Sequence, residues 1–292
     1  MIRKMKQLAR SVVRNALGAR ENETLKDVKR RNKVERNKAI DTFKYGDKEL
    51  LNSLRSLGIK EGDTIIVHAS WRPFYNYKGD GPTGVIAVLR SAVGETGTLL
   101  MPSYGADLSC LDVNRTKSNV GVLSEVFWRQ EGVRRALVPH FTLAGCGPAI
   151  DHIFSQERKS SYGFDDFAPY SLAIDSGAKI LLMGLGEDTA KISAFHRAGW
   201  LLREENSRYA TIWGNPVDVR IVDREGNCEI RSRLPKRPGV HNDDRSFRKA
   251  FSLVKKKTEY LGKLDLIVFD GNEAVATAVK AARDGLILYK GI

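Results

Sequence analysis

His196 stands near the start of a predicted helix, just after a glycine turn that ends a predicted buried strand. The strand is the apolar run Ile180–Met183, and the turn is Gly184-Leu185-Gly186. The loop that leaves the carboxyl end of such a strand is where α/β proteins build their sites. Because histidine exchanges protons near neutral pH, this position favours a general base at His196. A buried histidine with a purely structural role is the alternative.

Polar side chains also follow two other predicted strands, at the carboxyl ends where a sheet presents its sites. They are His68, Ser70, Ser103 and Tyr104. Hydroxyl groups at this edge can donate hydrogen bonds to an oxyanion, or they can simply cap the strands. Ser193, three residues before His196, shares its predicted helix face, so its hydroxyl is expected to orient the imidazole.

The segment Tyr75–Gly84 is rich in glycine and leads into a predicted helix over Val85–Val93. Free backbone N–H groups at the start of a helix suit a phosphate group. Gly81 and Thr83 are therefore candidate phosphate ligands. Turns of this kind are also common between strands and helices that bind nothing.

Apolar strands alternate with amphipathic helices from Asp47 onwards, which predicts an α/β fold. Beyond the helix of His196, a hairpin is predicted at the turn Asp223–Asn227. A basic helix is predicted from His241–Asp244 to Tyr260, followed by a final strand, helix and strand.

The composition is that of a globular protein. At 292 residues, of which 42% are hydrophobic, the chain can bury the core of one large α/β domain or two smaller ones. No apolar run approaches the roughly 20 residues that span a bilayer, and the N-terminus lacks the apolar stretch of a secretory signal. The three cysteines are widely spaced, which predicts neither a disulfide framework nor a cysteine-rich zinc site. We therefore expect a cytoplasmic protein.

The net charge of +13 is concentrated at the N-terminus. Residues 1–44 hold 14 Lys/Arg and 5 Asp/Glu, a net +9, which leaves +4 for the rest of the chain. Apolar residues at helical spacing predict one or two exposed helices here. Because the charge lies in an extension without an aromatic-basic module, no nucleic-acid partner is predicted. Contact with the body, with a second subunit of a homodimer or with an anionic membrane surface remains open.

Six segments, in this order and spacing, resemble the aminoglycoside 3-N-acetyltransferase family. They are Val67–Arg72, Gly84–Gly97, Met101–Tyr104, Gly132–Arg135, Gly184-Leu185-Gly186 and Ser193–His196. The resemblance extends from about Lys48 to the C-terminus. It leaves a basic helical extension, residues 1–46, ahead of an N-acetyltransferase-like domain, residues 47–292.

The resemblance implies a three-layer α/β/α fold with a mostly parallel or mixed central sheet. It also implies acetyl-CoA as the donor, no metal, and a small-molecule amine as the acceptor. Its catalytic histidine maps onto His196, and Ser193 and Asp244 are the other catalytic candidates. The candidate donor-binding residues lie at the strand ends and in the glycine turn: His68, Ser70, Arg72, Gly81, Thr83, Ser103 and Tyr104.

Two departures from the family pattern concern the acceptor. The family usually shows His-x-Ala-Glu at the catalytic helix, whereas this chain has His196-Arg197-Ala198-Gly199, so the carboxylate is missing. The family also has a histidine at a set distance after a double arginine, which is Arg134-Arg135 here. In this chain that histidine is His140, one position away from its place in the family pattern. Asp243 and Asp244 fall near a later acidic acceptor-binding position of the family, and they are equally compatible with an ordinary N-cap.

A site without that carboxylate, bordered by Arg197, Arg203 and Lys236-Arg237, predicts an anionic acceptor rather than a polycation. The sequence favours N-acylation, from acetyl-CoA or another acyl-CoA, of an amino sugar or related small amine in glycan or secondary-metabolite biosynthesis. The alternatives are an aminoglycoside 3-N-acetyltransferase that confers antibiotic resistance and a non-catalytic binding protein on the same scaffold. Deletion of residues 1–44 is expected to spare the chemistry, because the family-like body begins after them.

Overall fold

A computed structural model describes residues 25–138, 140–186 and 192–292 of the chain. The helices in these ranges are α1 Leu25–Ile40, α2 Asp47–Ser56, α3 Gly81–Val93, α4 Val122–Phe127, α5 Ile150–Phe154, α6 Pro169–Asp175, α7 Ala194–Leu202, α8 Ser207–Ala210, α9 Asp244–Leu253 and α10 Gly271–Arg283. The strands are β1 Thr64–Ala69, β2 Thr98–Pro102, β3 Cys110–Asp112, β4 Arg134–Arg135, β5 Leu143–Cys146, β6 Lys179–Met183, β7 Val217–Val222, β8 Cys228–Arg233, β9 His241–Asn242, β10 Lys257–Leu261, β11 Leu264–Asp270 and β12 Tyr289–Lys290.

Seven strands form the main sheet, in the order β10-β11-β6-β1-β2-β5-β4. At its centre β6, β1 and β2 run parallel, whereas β11 and β5 are antiparallel to their neighbours β6 and β2. The register pairs His68 of β1 with Leu182 of β6, so the loops after these two strands leave the same edge of the sheet. The loop after β6 leads to α7, which carries His196.

Helices cover both faces of the sheet because its central strands are apolar on both faces. Successive side chains of a strand point to opposite faces. On one face, Ile65 and Val67 of β1 pack with side chains of α2, α3 and α4. On the other, Ile66 and Ile180 pack with side chains of α5, α6, α7, α9 and α10. This arrangement confirms the three-layer α/β/α fold.

The predicted hairpin is present, but the predicted basic helix ends earlier than expected. The turn Asp223–Asn227 joins β7 to β8 in a separate three-stranded sheet with β3. The helix expected to reach Tyr260 ends at Leu253, and the following residues form the edge strand β10. Every residue of β10 pairs with β11. This pairing satisfies the backbone hydrogen bonds of β10 through residues of β11, and the local sequence pattern does not predict such a partner.

Of the described part of the N-terminal extension, residues 25–40 form the helix α1 and residues 41–46 are not helical. Residues 1–24 of the extension lie outside the described residues. After α1, the Asp41 carboxylate accepts hydrogen bonds from Tyr75 Oη at 3.1 Å and Lys263 N at 3.0 Å. These bonds hold the end of the extension on the body. Within the described ranges, no helix is both long enough and apolar enough to cross a membrane.

Candidate active site

His196 lies in the first turn of α7 and borders a pocket of about 520 Å³, which we call the histidine pocket. The residues that line it are Leu108, His140, Phe141, Tyr162, His196, Arg233, Leu234, Pro235, Lys236 and Asn242. This volume is in the range of small-molecule sites. Only 6% of His196 is exposed. The imidazole is therefore a buried part of the wall of a half-open pocket.

The imidazole of His196 is held by Tyr289. His196 Nδ1 lies 3.2 Å from Tyr289 Oη, and Tyr289 is buried. For Nε2 to accept a proton, Nδ1 must carry the ring hydrogen and donate it to the tyrosine oxygen. Phe164 and Phe247 pack against the imidazole, with ring centroids 5.2 and 6.0 Å from its own. The ring is therefore fixed by one hydrogen bond and by aromatic packing.

Gly199, at the position where the family pattern has glutamate, makes room for Tyr289. A Cβ at this position would lie 2.7 Å from Tyr289 Oη and 2.8 Å from Tyr289 Cε2, closer than side chains pack. Gly199 lies one helical turn after His196, so both residues share a face of α7. A phenol hydroxyl thus reaches the histidine from the side of the helix on which the family carboxylate would stand.

Positive charges and burial keep the histidines of the pocket neutral. Burial lowers the pKa of His196 well below its ordinary value, and Lys236 and His140 lower it further. Burial, with the charges of Arg233 and Lys236, lowers the pKa of His140 to about 4. Burial also lowers the pKa of Lys236 to about 8. Both imidazoles are therefore neutral at pH 7, and this is the form in which His196 can accept a proton.

Phe141 has a strained backbone beside the histidine. Among the described residues it is the only non-glycine residue in the left-handed region, with φ of 56°. Its ring lies 5.4 Å from those of His196 and Tyr104, and 3.9 Å from that of His140. Backbone strain at non-glycine residues clusters at functional sites. The strain supports the histidine pocket as the candidate active site. Tyr104 does not line this pocket, but its ring packs against two residues of the wall, Phe141 and His140.

The described contacts give no support to the orienting role of Ser193, which stays a prediction. Ser193 is the N-cap residue of α7, and its side chain forms a hydrogen bond with Tyr170. Its bond to His196 is through the backbone, from His196 N to Ser193 O at 2.9 Å. Tyr170 Oη is in turn bonded to His68 Nε2. Ser193, Tyr170 and His68 thus form a polar row between α7 and the end of β1.

Ser70 and Arg72 line a second pocket, of about 190 Å³, which we call the glycine-turn pocket. Its lining residues are Lys33, Val34, Asn37, Ser70, Arg72, Pro73, Tyr75, Gly184, Leu185, Gly186, Lys263 and Asp265. Lys33, Val34 and Asn37 belong to α1. The extension therefore reaches a pocket built from the ends of β1 and β6. Whether deletion of residues 1–44 spares the chemistry stays a prediction, and these three residues of α1 are the contacts that bear on it.

Five donor candidates line neither pocket: His68 and Tyr104, whose contacts are given above, and three others, Gly81, Thr83 and Ser103. Gly81 and Thr83 are in the first turn of α3, and a Cβ at Gly81 would meet nothing within 4 Å. Ser103 is fully buried, and its hydroxyl accepts a hydrogen bond from Arg135 Nε at 3.1 Å. Arg135 is itself buried, which makes Ser103 part of a structural contact. The roles of these three residues in donor binding stay predictions.

Contrary to the prediction, the histidine pocket is not lined by Arg197, Arg203 or Arg237. Arg197 is buried in two ion pairs, with Asp166 at 2.7 Å and Asp175 at 3.0 Å. The guanidinium of Arg203 lies 3.6 Å over the ring of Trp200, and Arg237 donates to two backbone carbonyls. Lys236 does line the histidine pocket. The carboxylates that pair with Arg197 are 31 and 22 positions away, and the acceptors of Arg237 are backbone carbonyls, so sequence position alone does not reveal these partners.

Asp244 is the exposed first residue of α9 and lines neither pocket. The preceding Asp243 is the N-cap residue, and its carboxylate accepts a hydrogen bond from Arg245 N at 3.0 Å. This is the N-cap alternative that the sequence leaves open. A catalytic role for Asp244 stays a prediction, and the described contacts give it no support.

Tyr289, Arg233 and Tyr162 are site residues that the sequence pattern does not identify. Tyr289 is 93 positions from His196 and lies in a two-residue strand. The one sequence signal for Tyr289 is indirect: Gly199 stands at the family's glutamate position, so His196 lacks the carboxylate that is its usual neighbour. Arg233 and Tyr162 have no signal of their own.

The chain is similar to acetyltransferases that act on aminoglycosides. A profile of the family described as aminoglycoside 3-N-acetyltransferase matches residues 66–283. Aminoglycoside N(3)-acetyltransferase IV of Salmonella sp is 33% identical over 194 residues, which are 64% of this chain and 72% of that protein.

Two solved structures share the fold. A mutant of aminoglycoside acetyltransferase AAC(3)-IVa in complex with a gentamicin has a TM-score of 0.67 and 25% identity, over 84% of this chain and 91% of that one. AAC-IIIb in a binary complex with CoASH has a TM-score of 0.68 and 21% identity, over 83% of this chain and 97% of that one.

Proposed function

This chain belongs to the aminoglycoside 3-N-acetyltransferase family, and on that premise we propose that it transfers the acetyl group of acetyl-CoA to an amine of an amino sugar. The observation that carries the proposal is His196, buried and neutral, held by Tyr289 in the wall of a pocket of about 520 Å³. The family match contains His196 and the carboxyl ends of β1 and β6, but it begins after α1 and ends before Tyr289.

The transfer requires a base because an alkylamine is mostly protonated near pH 7 and has then no lone pair for attack. In the proposed reaction the amine nitrogen forms a bond to the carbonyl carbon of the thioester. The C–S bond breaks, and CoA leaves as a thiolate. His196 Nε2 takes the proton that the nitrogen loses and passes it to the thiolate or to solvent.

We assign the donor to the glycine-turn pocket. Lys33, Arg72 and Lys263 line it and bring positive charge that suits the phosphates of CoA. The Ser70 hydroxyl stands at the end of β1, two residues after His68, and is the candidate donor to the oxyanion. The row of His68, Tyr170 and Ser193 connects this edge of the sheet to α7. The pocket of about 190 Å³ accommodates only part of CoA.

The names of the relatives favour an aminoglycoside as the acceptor over the biosynthetic amino sugar that the sequence pattern favours. The Salmonella relative is named as an aminoglycoside acetyltransferase, and the AAC(3)-IVa complex holds a gentamicin. Aminoglycosides present primary amines on sugar-like rings, which is the acceptor chemistry that His196 requires. They are therefore the first acceptors to assay.

The assay mixes the protein with acetyl-CoA and gentamicin, apramycin or sisomicin, and follows the release of free thiol. Thiol release that depends on the amine, with acetylated product in the mass spectrum, is the expected result. In a bacterial host, the same activity should raise the concentration of antibiotic that stops growth. A protein that CoA stabilises against heat but that acetylates no aminoglycoside or amino sugar would instead be the non-catalytic binding protein.

A further inference from the structure

We propose that the histidine pocket binds an anionic group of the acceptor, such as a phosphate or carboxylate carried by the amino sugar that is acetylated. The inference rests on the proposed function and specifies the acceptor within it. Four residues of the pocket wall support it: Arg233, Lys236, His140 and Tyr162.

Two cations face the pocket without a carboxylate to neutralise them. Lys236 Nζ donates to Asn242 Oδ1 at 2.5 Å and lies 4.7 Å over the ring of Tyr289. Among the described residues, neither Lys236 nor Arg233 has an ion-pair partner, and no Asp or Glu lines the pocket. An anion in the pocket would gain charge-assisted hydrogen bonds from these two cations.

Buried polar atoms around the same cavity lack hydrogen-bond partners among the described residues. They are Arg233 Nε, His140 Nδ1 and Tyr162 Oη, and Tyr162 is only 3% exposed. Buried polar groups in native proteins are nearly always paired. These three atoms are buried behind the surface of the cavity, so an anion would pair with Arg233 Nε or Tyr162 Oη only after a small shift of the wall, and a wall with unsatisfied donors favours such an occupant.

The anion is assigned to the acceptor because this pocket contains His196, which the acceptor amine must reach. The donor is the other source of phosphate, but the glycine-turn pocket has cations of its own, Lys33, Arg72 and Lys263. A polycation in the histidine pocket would bring positive charge against Arg233 and Lys236, which is unfavourable in a desolvated site.

The test compares D-glucosamine, D-glucosamine 6-phosphate and gentamicin as acceptors at saturating acetyl-CoA. For wild type, kcat/KM for the phosphate ester should exceed that for glucosamine by about 10-fold or more, the scale of a hydrogen bond between charged groups. Arg233→Gln should lower this ratio towards one by raising KM for the phosphate ester. Arg237→Gln, at an arginine that donates to backbone carbonyls and does not line the pocket, should leave the ratio unchanged.

Equal kcat/KM for glucosamine and its 6-phosphate, or a preference for gentamicin, would overturn the inference and leave the proposed function standing. A rise in KM for acetyl-CoA in Arg233→Gln, without a rise for the acceptor, would assign the anion to the donor and also overturn it. If Arg233→Gln does not fold, the wild-type comparison decides by itself.

If no amine is acetylated, the proposed function fails and the inference is tested by binding. Calorimetric titration of the wild type with inorganic phosphate and with glucosamine 6-phosphate should then show binding that competes with neither CoA nor acetyl-CoA. The absence of such binding would overturn the inference.

Discussion

Tyr289 gives His196 a partner that orients the imidazole without adding negative charge. Burial raises the pKa of Tyr289 well above its ordinary value, so the phenol stays neutral. A carboxylate in the same place would raise the pKa of His196, because a nearby negative charge favours the imidazolium. With a neutral partner, and with Lys236 in the same pocket, the imidazole stays unprotonated to lower pH. The residues around His196 thus set both its orientation and its protonation state.

Tyr289→Phe removes the hydroxyl and keeps the ring. We expect kcat to fall by about 10-fold or more with little change in KM, because His196 Nδ1 loses the bond that fixes its tautomer and position. Tyr209→Phe is the control, since Tyr209 is also buried and its hydroxyl accepts a hydrogen bond from Leu288 N at 3.1 Å. It should lower the free energy of unfolding by about 1 kcal/mol and leave kcat unchanged. An equal loss of kcat in both variants would make the effect of Tyr289 merely structural.

Lys236→Gln should raise the pKa of His196, because the positive charge that disfavours the imidazolium is gone. His140 and Arg233, which also line the pocket, remain in the variant. Burial still holds the pKa of His196 below its ordinary value in the variant. With glucosamine as acceptor, the kcat/KM of the variant relative to wild type should therefore fall as the pH is lowered below about 6.5, since its His196 is protonated first. The titration of the acceptor cancels in this ratio. A ratio that does not change with pH would show that Lys236 does not act on His196.

The central strands can be predicted from sequence, whereas the edge strand and the partner of the histidine cannot. β1, β2 and β6 are short apolar runs, because both of their faces are covered by helices, and this signal is local. β10 forms because β11 offers it a partner, which overrides the preference of a basic segment for helix. The contact between His196 and Tyr289 spans 93 positions, and the one local signal for it is indirect, the glycine at position 199.

Gly199→Ala examines the packing of α7 against Tyr289. Alanine favours a helix interior by about 1 kcal/mol over glycine, but its Cβ would lie 2.7 Å from Tyr289 Oη. We expect the displaced phenol to lower kcat, and overpacking of about 1–3 kcal/mol to cancel or reverse the gain in stability. Gly214→Ala, whose Cβ would have its nearest neighbour at 3.5 Å, should change the free energy of unfolding by less than about 0.5 kcal/mol and leave kcat unchanged. Full kcat in Gly199→Ala would show that catalysis tolerates displacement of Tyr289.

α1 lies outside the family match, yet its residue Lys33 lines the glycine-turn pocket. If this pocket binds the donor, Lys33→Ala should raise KM for acetyl-CoA by about 2- to 5-fold, the scale of an exposed ion pair, and more at low salt. Arg36→Ala removes the same charge from an exposed residue of α1 that lines neither pocket. Equal effects of the two variants would show that α1 acts only by long-range attraction of the donor. If neither variant changes KM for acetyl-CoA, α1 is not part of the donor site.

The net charge of the chain indicates a binding site only once the partners of each cation in the fold are known. The net charge of +13 predicts an anionic partner in general, and the sequence cannot say which arginines are already paired. Arg197 is paired with two carboxylates, and Arg237 with backbone carbonyls, although their positions in sequence favour the acceptor. Arg233, which sequence reasoning does not identify, is left facing the histidine pocket. The fold thus leaves two pockets with separate sets of cations.

Turnover of the His196→Ala variant decides whether this chain uses His196 as its base. With acetyl-CoA and an amine that the wild type acetylates, the release of free thiol should fall by about 100-fold or more, the scale of a lost general base. Circular dichroism and thermal melting should show that the variant is folded, and His196→Gln, which keeps a polar side chain in the cavity, should be equally slow. A folded His196→Ala variant that releases thiol at nearly the wild-type rate would contradict the assignment and leave His196 as a structural residue of the core.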